Sequence, residues 1–350
     1  MKWETYKKNF SKLAKENNFT DEFIHESLLY AKNLYDKNVP IIYDQIHLSR
    51  LLGFSEEYLY GASNKPKKFY RYFEIPKKSG GSRKIAEPLP NLKEIQRWIL
   101  EEILYKFKVS EYSKAYIKGR SIRDNARFHR GQKMVLSMDI TDYFNSIRFK
   151  RVYRFFYEIG YKAHVSVMLA NLCCLNHSLP QGASTSPALS NLITIKLDNR
   201  IAGFAKKNKI RYTRYADDMT FSGEFDCGMV IKFVKRVLLE EGFSLNDVKT
   251  RVRYCYEKQE VTGIIVNEKL QAPISLRKKL RQDMYYIEKY GLNSHLSKTK
   301  NTKANYLKHL LGIANFILFI NPRDEDTKKY IEKLHLLLKA TETINENNKL

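Results

Sequence analysis

Two aspartates stand side by side at Asp217 and Asp218, and the residues flanking them read as strands: Ile-Arg-Tyr-Thr-Arg-Tyr before, Met-Thr-Phe-Ser-Gly after. Adjacent carboxylates at a strand-to-strand turn are a severe constraint. Two such charges about 4 Å apart repel by about 4 kcal/mol at an effective dielectric of 20. A proton, an arginine or a bound cation has to offset that repulsion. The plain alternative is a pair of turn residues, since aspartate favours turns. A third aspartate weighs against it. The run KMVLSMDI at 133–140 is short, apolar and rich in strand formers, and it carries Asp139 near its end. A buried strand ending in this way projects its carboxylate from the sheet edge. Three carboxylates converging there would hold two Mg²⁺ ions about 3.5–4 Å apart, one activating an attacking hydroxyl and the other stabilising a leaving pyrophosphate. Magnesium suits such a site because it accepts a few carboxylates together with substrate phosphates. No His or Cys cluster competes for the role.

The charge balance points the same way. Lys and Arg number 62 against 38 Asp and Glu, a formal net charge of +24. A net charge of roughly 2–8 suffices to keep a small domain soluble, so the excess creates a field that attracts polyanions, of which nucleic acid is the commonest in a cell. The 24 Tyr and 19 Phe are candidates for base stacking. Cys173, Cys174, Cys227 and Cys255 form no C-x-x-C pair, which excludes a zinc site or a disulfide framework of the usual spacing. The N-terminal MKWETYKKNF has no apolar signal-peptide core. The longest apolar run, Leu310 to Ile320, is shorter than the ~20 helical residues that span a bilayer. A cytoplasmic protein with no membrane partner is expected.

Along the chain, residues 1 to about 60 read as helices, with Thr20 and Ser55 as N-caps. HLSRLLGFSEEYLYGAS has a helix–Gly–helix pattern that fits helical packing or a helix-turn-helix. KPKKFYRYFEIPKKSGGSRKIAEP reads as two strands around Ser79-Gly80-Gly81, with basic side chains on both. Asn91–Phe107 returns to helical spacing, and Ala163–Leu175 reads as a buried helix. Ser184, Ser186 and Pro187 start a long helix running to about Lys206. Ile231–Glu241 is an amphipathic helix closed by Gly242, and beyond Leu270 the chain is helical and Lys-rich.

These residues match the boxes of a known family. Tyr215-Ala216-Asp217-Asp218 resembles the Y-x-D-D box of reverse transcriptases, and Asp139-Ile-Thr-Asp-Tyr-Phe144 their first catalytic motif. Leu179-Pro-Gln-Gly182, followed by Ser184-x-Ser-Pro187, resembles the box that closes on the incoming nucleotide. Lys249-Thr250 resembles the downstream lysine motif, and KKSGGSRKI the fingers strands. The boxes fall in the family's order across about residues 70–270. Asn125-Ala-Arg-Phe-His129 resembles the N-A-x-x-H element of retron reverse transcriptases, and Val261-Thr262-Gly263 their V-T-G triplet.

The resemblance implies an α+β right-hand polymerase with an antiparallel palm sheet and a helical thumb. The expected division is an N-terminal helical extension at 1–60, fingers at 61–130, a palm with inserted fingers elements at 131–270, and a thumb at 271–350. It implies catalysis and metal binding by Asp139, Asp217 and Asp218. It places Phe144 under the sugar, Gln181 and Gly182 in the nucleotide pocket, and Arg83, Lys84 and Lys78 near the triphosphate; Lys249 would protonate pyrophosphate. Asn125, His129, Val261, Thr262 and Gly263 are expected to contact RNA, and Arg277, Lys278 and Lys279 to grip the duplex from the thumb. The implied reaction is RNA-directed DNA synthesis from dNTPs, copying a cognate non-coding RNA into a branched RNA–DNA product used in phage defence, with an effector or toxin protein as a further partner. The chain ends soon after a thumb-sized segment, with no maturase, endonuclease or RNase H extension expected. The alternatives are a group II intron-like or diversity-generating reverse transcriptase and, in another class, an RNA-binding scaffold with a vestigial site.

Overall fold

Helix α1 spans Trp3–Glu16 and α2 Asp21–Asp36. Thr20 starts the second by accepting the Phe23 N–H at 3.2 Å, which satisfies an amide the helix cannot pair internally. Helix α3 (Gln45–Leu52) stops at Gly53, whose φ of +72° is the left-handed exit glycine adopts without strain. Ser55 then caps α4 (Glu56–Asn64) through the Tyr58 N–H. The helix–Gly–helix pattern expected at 47–63 therefore forms, with Leu48 and Leu59 fully buried. Strands β1 (Tyr70–Pro76) and β2 (Ser82–Pro88) pair antiparallel, Phe73 opposite Ile85. This computed structural model describes residues 2–76, 80–300, 303 and 305–347, so Lys78 lies outside the described residues.

Helices α5 (Pro90–Glu102) and α6 (Ile122–Phe128) precede β3 (Met134–Asp139). Then follow α7 (Tyr143–Ser146), α8 (Phe149–Ile159) and α9 (Ala163–Cys173). The single helix expected from Ser186 to Lys206 is two, α10 (Ser186–Ile193) and α11 (Ile195–Lys207). They part at Thr194, whose hydroxyl donates to the Ser190 carbonyl at 2.7 Å, the local side-chain bond by which threonine disturbs a helix. Strands β4 (Arg211–Tyr215) and β5 (Asp218–Gly223) lead to α12 (Cys227–Glu240). After β6 (Arg251–Tyr254) and the short pair β7 (Glu260–Val261) and β8 (Ile264–Ile265) come four helices. These are α13 (Ile274–Tyr290), α14 (Leu292–Thr299), α15 (Tyr306–Ile320) and α16 (Glu325–Asn347). No helix among the described residues is long and apolar enough to cross a membrane.

The chain forms two compact units that alternate along the sequence. The first comprises Met1–Ile117, Ile140–Gly203 and Lys232–Asn246; the second comprises Lys118–Asp139, Phe204–Ile231 and Asp247–Leu350. Residues 118–130 thus group with β3, and 140–203 with the N-terminal helices. Strand pairing and side-chain packing, not chain order, decide the grouping.

In the first unit the fully buried Gln96 of α5 ties four segments together. Its amide nitrogen donates to the Tyr70 hydroxyl and the Leu172 carbonyl, both at 2.9 Å, and its oxygen accepts the Ser184 N–H at 3.1 Å. A buried amide with its polar atoms paired specifies one arrangement of its neighbours. In the second unit four antiparallel strands run in the order β4-β5-β3-β6. Its core joins Ala126, Val135, Val261 and Ile264 to Leu280, Met284, Leu310 and Ile317 of α13 and α15. Each fully buried aliphatic side chain there contributes roughly 1.5–3 kcal/mol.

Candidate active site

Strand β3 delivers Asp139 to its last position, directly opposite Asp218, the first residue of β5. Tyr215 pairs with Asp218 across the β4–β5 hairpin, leaving Ala216 and Asp217 as its two-residue loop. Ala216 has a φ of +58°, a conformation that costs an L-residue about 1–2 kcal/mol. Its carbonyl accepts a hydrogen bond of 2.9 Å from Nη1 of Arg214, which has no solvent exposure at all. A buried guanidinium thus holds the strained residue next to the aspartate pair. Nothing in the local sequence announced this role for Arg214.

The carboxylates are crowded as the sequence requires. Asp139 is buried, and its carboxyl shares a hydrogen bond with that of Asp218. Desolvation, then the charges of Asp217 and Asp139, push the Asp218 carboxyl up to about 7 although the residue keeps part of its surface open; Lys249 opposes the rise. Lys249 ends a 3₁₀ turn at Asp247–Lys249 and donates to both oxygens of Asp139 at 3.0 Å. That hydrogen bond, more than any other influence, raises the lysine's own pKa. Expected at the pyrophosphate, Lys249 is here the counter-ion of Asp139.

The three aspartates fit a divalent cation. Their donors are hard oxygens, and a proton near neutrality together with an ammonium group marks a site short of positive charge. Among the described residues no three His, Cys, Asp or Glu groups form a finished cage. Magnesium characteristically uses one or two carboxylates and completes its shell with water and substrate phosphates.

The residues expected at the nucleotide lie in the first unit. Arg83 and Lys84 are exposed on β2. The Ala86 N–H of the same strand donates to the Gln181 carbonyl at 2.8 Å, and Gly182 follows with a φ of +125°. A Cβ at Gly182 would stand 2.5 Å from the Ala86 carbonyl oxygen, so only glycine admits this contact. Gln181 and Gly182 are thereby fixed to the strand carrying Arg83 and Lys84. Phe144 on α7 is half-buried beside Tyr143 and Tyr116, with ring centroids 5.5 and 6.3 Å away.

Comparison with known proteins decides the family. Residues 75–313 match the reverse transcriptase (RNA-dependent DNA polymerase) family. The chain is 33% identical over 272 residues to the Retron Ec86 reverse transcriptase of Escherichia coli, covering 76% of this chain and 81% of that protein. It belongs to the retron reverse transcriptases. It is also 34% identical over 277 residues to the Retron Mx65 reverse transcriptase of Myxococcus xanthus, covering 73% of this chain but only 62% of that longer protein. Against the Retron Ec73 reverse transcriptase of Escherichia coli the identity is 27% over 320 residues, 98% of that protein's length. As a retron reverse transcriptase the chain is an RNA-directed DNA polymerase with the right-hand fold, and its helices and antiparallel sheets agree with that class.

Within this retron reverse transcriptase, the two retron-type elements do not form the RNA surface expected of them. Asn125 and His129 have no solvent exposure, and Val261 is buried in the core, so these three side chains do not lie at the surface. His129 instead bridges two strands of the sheet that carries the aspartates. Its Nε2 lies 2.8 Å from Thr213 Oγ1 on β4, and its Nδ1 lies 2.7 Å from Ser222 Oγ on β5. Thr213 donates its only hydroxyl proton to Asn125 Oδ1 at 2.6 Å, so its oxygen accepts from His129, which places a proton on Nε2. Thr262 and Gly263, with φ of +48° and +82°, make the two-residue turn between β7 and β8. Of the five expected RNA contacts only that turn reaches the surface. On α13, Arg277 pairs with Asp324 at 3.1 Å and donates to Gln271 at 3.2 Å.

Proposed function

We propose that Asp139, Asp217 and Asp218 hold two Mg²⁺ ions and that the chain joins dNTPs to a primer hydroxyl on an RNA template. The observation that carries this reading is the Asp139–Asp218 carboxyl pair, opposed across β3 and β5 and partly neutralised by Lys249. When bound, the ions supply Lewis-acid activation of the attacking hydroxyl and charge stabilisation at the leaving pyrophosphate. The chain's own residues orient and discriminate. Arg83 and Lys84 meet the triphosphate, Gln181 and Gly182 line the nucleotide pocket, and the Phe144 ring excludes a 2′-hydroxyl. Lys249, which donates to both oxygens of Asp139, would share that carboxylate with the ions and lend positive charge beside the phosphates.

Family membership extends the reading to a cognate structured non-coding RNA, primed from a 2′-hydroxyl to give a branched RNA–DNA product that serves phage defence in the cytoplasm, with an effector protein as partner. In polymerase terms, the first unit supplies fingers, the strands β3 to β6 the palm, and α13–α16 the thumb. The test is radiolabelled dNTP incorporation by Asp139→Asn, Asp217→Asn and Asp218→Asn. Each is expected to lose synthesis while still retaining RNA on a filter, because an amide neither carries the charge nor offers the oxygen pair that magnesium takes. Full activity in any one of them removes that residue from the metal site.

A further inference from the structure

The first unit contains a cavity of about 540 Å³ unrelated to the motifs above, within the roughly 300–1,000 Å³ of small-ligand sites. One wall is the 3₁₀ turn at Pro66–Phe69, which contributes Lys67 and Lys68, with Lys65 just before it. The turn Asn176-His177 also lines it, and Phe149 and Cys174 supply apolar lining. No acidic residue among the described ones lines it, and none of the three lysines has an ion-pair partner there.

The Asn176-His177 turn is built to present side chains. Leu175 and Ser178 exchange backbone hydrogen bonds of 2.9 and 3.1 Å, closing a two-residue loop. Both loop residues are left-handed, with φ of +50° and +60°, where glycine would be the relaxed choice. The His177 carbonyl accepts the Phe149 N–H at 2.9 Å, which fixes the loop to the start of α8. Asn and His in that position add an amide and an imidazole to the cavity, each with hydrogen-bonding atoms unused by the described residues. An aromatic ring, amide and imidazole groups, and three unpaired ammoniums on one rim are the complement of a nucleotide: base against Phe149, base edges or sugar at Asn176 and His177, phosphate at the lysines.

We propose that this cavity is a second nucleotide-binding site that takes one phosphate-bearing nucleotide, either in a single-stranded nucleic acid or free in solution. The inference does not rest on the roles assigned to the aspartates. It is tested by photocross-linking the full chain to a six-nucleotide RNA containing 4-thiouridine and mapping the adducts by mass spectrometry. Adducts are expected on the segments carrying Phe149 or His177. Their yield should fall about tenfold in the double variant Lys67→Glu with Lys68→Glu, from the loss of two phosphate contacts. The same charge change on exposed α1, Lys7→Glu with Lys8→Glu, should leave the yield nearly intact. Erasure by excess ATP assigns the cavity to free nucleotides, and erasure only by unlabelled hexamer assigns it to a strand. No adduct at these segments, or equal loss in both double variants, overturns the proposal. dNTP incorporation read on the same preparation reports separately on the polymerase site, so the two readings fail independently.

Discussion

At the scale of single residues, the site is an electrostatic problem that the protein leaves partly unsolved. Asp218 releases its proton near 7 in the folded chain, against an ordinary value of 3.8. Between those values the folded state holds more protons than the unfolded one, so stability falls as pH rises through that window. Below it both states are protonated and the penalty vanishes; above it the penalty is complete. In EDTA the thermal midpoint is therefore expected to drop between pH 5 and pH 8. Mg²⁺ should flatten that drop, and Asp218→Asn should remove most of it without metal. A pH profile identical in the parent and in Asp218→Asn would show that the carboxyl carries no such burden. Phe144 poses the second question at this scale. Its ring touches Tyr143 and Tyr116 yet stays half-exposed, so its removal is expected to alter selectivity more than folding. In single-nucleotide extension, Phe144→Ala should raise ribonucleotide use relative to deoxynucleotide. An unchanged ratio would make Phe144 a packing residue.

At the scale of elements, the β4–β5 hairpin is held from two sides. Arg214 fixes its loop through the Ala216 carbonyl, and His129 fixes its body by joining Thr213 to Ser222. Losing the imidazole leaves the buried Ser222 hydroxyl short of a partner, while Thr213 keeps its bond to Asn125, and an unsatisfied buried group costs about 1–3 kcal/mol. His129→Ala is expected to lower the thermal midpoint by about 5 °C, at roughly 2–4 °C per kcal/mol for a chain of 150–250 residues and less for a longer one. DNA synthesis should fall equally on a generic primer–template and on the chain's own RNA, with partial rescue in His129→Gln. Loss confined to the cognate RNA, with an unchanged midpoint, would return His129 to a direct part in template choice. The Asn-Ala-x-x-His element was legible as a motif. Its role was not, because whether a histidine meets solvent or a sheet depends on strands that lie far from it in sequence.

At the scale of the whole molecule, the net charge of +24 supplies affinity without choice. Counterion release makes binding to any single strand fall with salt at a log–log slope of about −0.7 per phosphate neutralised. Unrelated RNA is expected to show a slope steeper than about −3, the mark of several such contacts. The cognate RNA should retain affinity at salt concentrations that release the unrelated one, since shape and base contacts do not depend on released ions. Filter binding across a salt series checks this, and superimposable lines for both RNAs would show that charge is all the protein reads.

What the sequence determined by itself was local. Helix starts at Thr20 and Ser55, the exit at Gly53, and the paired strands around Asp217-Asp218 all follow from preferences acting over a few residues. The three aspartates and the family were legible for the same reason, as short motifs in a fixed order. The tertiary structure alone decided the interleaving of the two units, the burial of Asn125, His129 and Val261, the partner of Ala216 inside the hairpin, and the position of Lys249 on Asp139. His129 and Thr213 are 84 residues apart, and Lys249 and Asp139 are 110 apart. Such partners meet only when strands distant in the chain pair and helices pack on them, and no local periodicity encodes which side chain then closes on which.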